Sequence, residues 1–119
     1  MENQKLTETI IGCAYRVYNH LGFGFLESVY EKSLLIELHK SSLNAESQIP
    51  VKVHYDGQVV GDFFADIVVE GNVILELKSV RNIVKAHEVQ LVNYLKATGI
   101  KVGLLINFGD KLKVVRRVF

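Results

Sequence analysis

A chain of 119 residues fits one domain, 1–119, with a single continuous core and no room for a second folded unit, so one site is expected unless oligomerisation repeats it. Its formal net charge of +1 argues against coating nucleic acid by bulk electrostatics, and 49% hydrophobic with 23% charged residues argues against disorder. The lone Cys13 excludes an intramolecular disulfide and leaves too few ligands for a cysteine-held cluster, and His20, His39, His54 and His87 lack the paired spacing of a zinc hydrolase.

From Leu6 to Leu21 the apolar residues Ile10, Ala14, Val17, Tyr18 and Leu21 recur at helical spacing, with Cys13 as buried filler. Gly22-Phe23-Gly24 breaks this helix, and a second is expected from Leu26 to His39 with Leu34, Leu35 and Leu38 inward. Ser41 to Ser47 is the most loop-like stretch. Ile49, Val51, Val53 and Tyr55 then alternate as a strand, and Asp56-Gly57 signals a tight hairpin to Gln58–Phe64. A further hairpin is joined at Glu70-Gly71-Asn72. A third helix spans Val84 to Thr98, with Val84, Leu91 and Leu95 on one face and His87, Gln90 and Tyr94 on another. Val102–Phe108, apolar on both parities, reads as a central strand beside the one carrying Glu76, and Leu112–Val118 closes the chain. The order ααβββ(β)αββ gives an α/β or α+β fold, a mixed sheet flanked by helices. No stretch is apolar long enough to cross a bilayer and MENQKLTETI lacks the features of a signal peptide, so a cytoplasmic location and no membrane partner are expected.

The chemistry concentrates in FFADIVVEGNVILELKSV. A three-residue loop centred on Gly71 opposes Asp66 to Glu76, and period two puts Lys78 on the same face. A two-residue turn would instead oppose Asp66 to Leu77 and send Glu76 to the other side. Paired carboxylates repel and desolvate badly when empty, whereas Mg2+ or Mn2+ offsets both costs and organises a scissile phosphate. A neighbouring ammonium supplies donors where negative charge accumulates, or orients the attacking water. The same trio also fits the solvated face of a sheet, where an exposed ion pair contributes roughly 0 to 1 kcal/mol. Lys78, Arg81 and Lys85 form a basic group tied to this site, while Lys111, Lys113, Arg116 and Arg117 suit the protection of an edge strand. Gln90 and Tyr94 can fix a carboxylate or a phosphate, although ordinary helix flanks carry such residues too.

Taken together these residues resemble the GxxExxY family, a branch of the PD-(D/E)XK nuclease superfamily, over nearly the whole chain. Gly24, Glu27 and Tyr30 give the naming motif, Asp66 with Glu76-Leu77-Lys78 match the catalytic core, and Gln90 with Tyr94 match the QxxxY element of the RecB-like nucleases. Ala65 stands where many members carry proline. The resemblance implies a restriction-endonuclease-like core, with Glu27, Asp66 and Glu76 around the metal, Lys78 activating water or stabilising charge, and Gln90 and Tyr94 in support. Arg81, Lys85 and His87 are the candidate nucleic-acid contacts. The leading expectation is a magnesium-dependent deoxyribonuclease, with RNA left open as a substrate. The alternatives are a non-catalytic nucleic-acid-binding or adaptor module, and a dimeric junction-resolving nuclease; a larger protein partner also fits. With no phosphate-cradling glycine loop or dinucleotide fingerprint, a small-molecule enzyme is the least favoured.

Overall fold

A computed structural model describes residues 3–119. The elements are α1 (Gln4–Leu21), α2 (Glu27–Lys40), β1 (Ala45–Tyr55), β2 (Gln58–Val69), β3 (Val73–Lys78), α3 (Lys85–Thr98), β4 (Val102–Phe108) and β5 (Leu112–Val118). The strands form one sheet in the order β1-β2-β3-β4-β5, antiparallel except for the β3–β4 pair. This is the α/β arrangement of a restriction-endonuclease-like core, ααβββαββ. Among the described residues no helix is long and apolar enough to cross a membrane.

Side-chain parity divides the core into two layers. Val73, Leu75, Leu77, Leu104 and Ile106 face α1 and α2, meeting Ile10, Ala14, Val17, Leu34 and Leu38. Ile74 and Leu105, at the alternate positions, face Leu91, Tyr94 and Leu95 of α3. Every residue of β4 is buried, as expected for a strand covered on both faces, and it lies parallel to β3 with Glu76 beside Leu105. A Cβ on Gly103 would stand 2.6 Å from Leu91 Cδ1, so the missing side chain lets α3 approach the sheet closely. Cys13 is buried, its sulfur 3.4 Å from Ser41 Oγ. The cations of β5 do lie on an edge strand, and Arg117 pairs with Glu88 of α3.

Three expectations need correction. Gln58–Phe64 and the Asp66 segment are one strand, β2. Gly61-Asp62 interrupts the apolar pattern, yet the ladder continues through a register shift after Val53, from Val53↔Gly61 to His54↔Val59. The supposed loop at Ser41–Ser47 already enters β1 at Ala45, which pairs with Val69; Glu70 holds the entry by donating its N–H to Asn44 O and accepting from Asn44 N. Val84 is 53% exposed at the N-cap of α3, leaving Leu91 and Leu95 as that face's buried residues.

The turn between α1 and α2 is held from inside. Tyr30 is fully buried, stacks on Phe108 with centroids 4.4 Å apart and 11° between planes, and donates its hydroxyl to Gly22 O at 2.6 Å. The same oxygen accepts from Phe25 N, and Ser79 Oγ donates to Phe25 O, tying the turn to the segment after β3. Replacing Tyr30 by Phe keeps the stack and strands the turn's polar groups. Urea denaturation is expected to show a loss of about 1 to 3 kcal/mol for Tyr30→Phe; an unchanged midpoint would show that the hydroxyl is not what holds the turn.

Candidate active site

The β2–β3 hairpin turns through Glu70 and Gly71, both left-handed (φ 54° and 65°), and Asn72 N–H closes the turn on Val69 O. Val69 pairs with Val73 and Ile67 with Leu75, so the loop has three residues and the next opposed positions are Asp66 and Glu76. There the backbone ladder stops and the side chains take over. Asp66 N–H donates to Glu76 Oε2 at 2.9 Å, and Leu77 N–H donates to Asp66 Oδ2 at 2.7 Å. Each carboxylate is thus fixed by an amide of the opposite strand through one oxygen, and its other oxygen keeps lone pairs for a cation.

Glu76 is only 4% exposed. Burial, and next the charge of Asp66, push its carboxyl from 4.5 up to about 8, against the opposing pull of the Asp66 amide and Lys78. Asp66 is also raised, by burial first, with the Leu77 amide, Lys78 and Gln48 drawing it back. Two carboxyls in one desolvated place do not both ionise cheaply, so without a cation the pair retains a proton near neutrality. The donors are hard oxygens, the set that suits Mg2+ or Mn2+. Among the described residues no group of three or more His, Cys, Asp or Glu side chains is arranged as a metal cage. A carboxylate pair fits Mg2+ in particular, an ion commonly held by one or two carboxylates with waters and substrate phosphates completing its shell.

Helix α2 brings further acids. Glu27 is its first residue, exposed at the end of the turn that Tyr30 anchors, and its charge adds to the upward push on both Glu76 and Glu31. Glu31, one helical turn on, accepts from Gln48 Nε2 at 3.0 Å. Its carboxyl is raised by burial and then by the charge of Asp66. Gln48 lies in register opposite Asp66, between the pairs Ser47↔Ile67 and Ile49↔Ala65, with a left-handed φ of 54°. Hydrogen bonding from Gln48 also favours ionised Asp66, so this amide links the two acids. Sequence reasoning missed Glu31 and Gln48. The i,i+4 spacing from Glu27 was the available signal for Glu31; Gln48 had none, because its segment resembles a loop.

Helix α3 covers the pair from the other layer. Gln90 Nε2 donates to Tyr94 Oη at 3.1 Å. Burial first, then the charge of Glu76, raises the Tyr94 phenol, with a smaller push from Asp66, so Tyr94 stays neutral beside both acids. The three candidate nucleic-acid contacts separate. His87 Nδ1 accepts from Val84 N–H at 3.3 Å and serves the helix start; Arg81 reaches Asp110 at 3.9 Å; Lys85 lines a hollow shared with Gln90 and Tyr94. Arg81 and Glu27 line a different hollow, of about 460 Å³, between the 23–27 turn and the segment after β3. Asp66, Glu76, Lys78 and Tyr94 are therefore brought together, with Gln90 bonded to Tyr94 and Glu27 within electrostatic range.

The crystal structure of SSO0001 resembles this fold with a TM-score of 0.63 at 20% identity. The match covers 76% of this chain and 48% of that one, so the chain spans about half the length of that protein, and at this identity the likeness is one of fold. No curated protein matches the chain. A family model of the PD-(D/E)XK nuclease superfamily matches residues 4–118. With the D…ExK residues converging at the end of the β2–β3 hairpin and a family match spanning nearly the whole sequence, this chain belongs to the PD-(D/E)XK nuclease superfamily.

Proposed function

We propose that the protein is a metal-dependent nuclease that hydrolyses DNA phosphodiester bonds at Asp66, Glu76 and Lys78. The observation that carries this reading is the reciprocal binding of buried Glu76 and half-buried Asp66 to the opposing strands' amides, with an ammonium two residues on and a deficit of positive charge between them. Gly24, Glu27 and Tyr30 support placement in the GxxExxY branch, and the Gln90–Tyr94 hydrogen bond supports the RecB-like relation.

Asp66 and Glu76 would hold Mg2+ or Mn2+, joined by Glu27 of α2, whose charge reaches Glu76. When bound, the ion offsets the pair's charge, polarises the scissile phosphate and lowers the pKa of water. Lys78 places three N–H donors beside the acids, where they hydrogen-bond the non-bridging oxygens that gain charge in the transition state and orient the attacking water. Tyr94, held by Gln90, packs over the pair and keeps bulk water off its α3 side, while Gln48 fixes Asp66 from β1.

Purified protein is expected to cut linear, circular or branched DNA with Mg2+ or Mn2+, and Lys78→Ala to slow this by about 100- to 1000-fold. Equal traces in wild type and variant, together with no calorimetric signal for either ion, would sink the nuclease reading. Gln48→Ala, which frees Asp66 and Glu31 from their shared amide, is expected to weaken Mn2+ binding or activity by about 10- to 100-fold, as for other groups that orient a metal ligand; an unchanged isotherm and rate would show that Gln48 serves only β1.

The metal-free protein should also report the strain at Glu76. Between pH 4.5 and about 8 the folded chain holds a proton that the unfolded chain has released, so its stability falls as pH rises through that window and levels off above it. The loss is on the order of a few kcal/mol. Denaturation in EDTA across this range should show a steep decline in wild type and a much shallower one in Glu76→Gln, where only Asp66 and Glu31 remain raised, and Mn2+ should stabilise wild type most at the alkaline end. A flat wild-type profile would mean that the pair is not desolvated.

A further inference from the structure

We propose that the groove between α3 and the β1–β2 hairpin binds single-stranded nucleic acid. That this strand is what the acid pair receives rests on the nuclease reading; that the groove binds it does not.

Strands β1 and β2 run 11 and 12 residues against 6 in β3, so their hairpin overhangs the sheet and leaves a hollow of about 900 Å³ against α3. Its floor is apolar and open. Phe63 and Val89 are 44% and 47% exposed, unusual for large hydrophobic side chains facing each other across a cleft. The Phe63 ring lies 6.0 Å from that of Tyr94, so the apolar floor is continuous with the residue that covers Glu76 and Asp66. The rim is cationic: Lys52 comes from the hairpin, and Lys85 and Lys96 from opposite ends of α3. Among the described residues no Asp or Glu lines the hollow. Lys52 has an exposed partner, Asp62 at 3.8 Å, an interaction weak enough to yield to a phosphate.

Cations above an apolar, partly aromatic floor match a polyanion whose flat apolar groups are accessible. A single strand offers that: its phosphates meet the lysines and its unstacked bases lie on Phe63. A duplex buries the base faces in its own stack and offers mainly phosphates and groove edges, leaving the floor uncovered. A polyglutamate-like acidic peptide would meet the lysines too, but brings no aromatic face for the ring and no phosphodiester to present at Tyr94.

The test is fluorescence anisotropy in EDTA, where no metal-dependent cutting occurs, with labelled oligothymidylate of about 12 nucleotides, a duplex of equal length, and poly-glutamate as competitor. The single strand is expected to bind at least about tenfold more tightly than the duplex, and Phe63→Ala to weaken it by about tenfold. The double variant Lys85→Ala with Lys96→Ala should also lower the slope of log affinity against log salt by roughly 1.4, two contacts at about 0.7 each. All three side chains are exposed, so neither variant threatens the core. Equal or tighter duplex binding, unaltered affinity in both variants, or competition by poly-glutamate on equal terms would each overturn the proposal. Cleavage that ignores both variants would keep the nuclease reading and sink the groove. Single-strand binding lost in the variants, without cleavage by wild type in Mg2+ or Mn2+, would uphold the groove and sink the nuclease reading.

Discussion

At Asp66 and Glu76 the β2–β3 ladder gives way to an exchange in which each carboxylate accepts an amide hydrogen from the opposite strand. The exchange satisfies two backbone donors that the end of pairing would otherwise orphan, and it holds two acids where neither side chain alone would stay. β3 continues beside β4 as far as Lys78↔Asn107, while β2 beyond this point pairs only with β1. The sheet therefore forks at the acid pair. One branch is the three-stranded β3-β4-β5 floor and the other is the projecting hairpin, and the charged groups stand in the opening between them. A one-residue slip in the 70–72 turn would close the fork with Leu77 in place of Glu76 and turn the acid into the layer packed on α1 and α2.

The helices supply what the fork lacks, and each is positioned by a contact remote from the charges. α2 begins where it does because Tyr30, buried against Phe108, bonds back to the turn that precedes Glu27. Tyr30 thus fixes the turn from which Glu27 projects. α3 comes close because Gly103 has no side chain under Leu91, and Arg117 of β5 secures its first half through Glu88. That approach brings the Tyr94 hydroxyl, already held by Gln90 one turn earlier on the same helix, within the field of Glu76.

The β2–β3 hairpin was legible because its turn residues are strong and every other residue on β3 is apolar; its register stayed open between two loop lengths, and the structure takes the three-residue one, which keeps Asp66 off the buried face. The buried strand β4 was legible for the same reason. Local pattern failed where tertiary pairing decides. Gln48 sits in a polar stretch that becomes strand only by lying along β2, and its backbone takes a left-handed conformation that non-glycine residues seldom adopt. Gln58–Phe64 and the Asp66 segment looked like separate strands, because their continuity rests on pairing with β1 along the whole length from Gln58 to Val69, which cannot be read from one strand alone. His87 shared a helical face with Gln90, yet its ring is spent on the N–H of Val84, a donor that the first turn leaves unsatisfied.

A net charge of +1 gives the molecule little long-range pull on a polyanion, and salt screens what there is beyond about 8 Å. On the proposed function, binding must therefore be arranged locally, and the acid pair at first works against it, since an ionised Asp66–Glu76 pair repels the phosphate that has to approach. Retaining a proton near neutrality lessens that repulsion, and replacing the proton by a divalent ion reverses it. An ion bound there would in turn lack ligands, because two carboxylates would leave most of an octahedral shell to water and phosphate oxygens. Each partner then supplies what the other needs, so by linkage the ion tightens the strand by the same factor as the strand tightens the ion. A fork with too few ligands to close around a cation alone is suited to that coupling, whereas a complete cage would bind the ion and gain little from substrate.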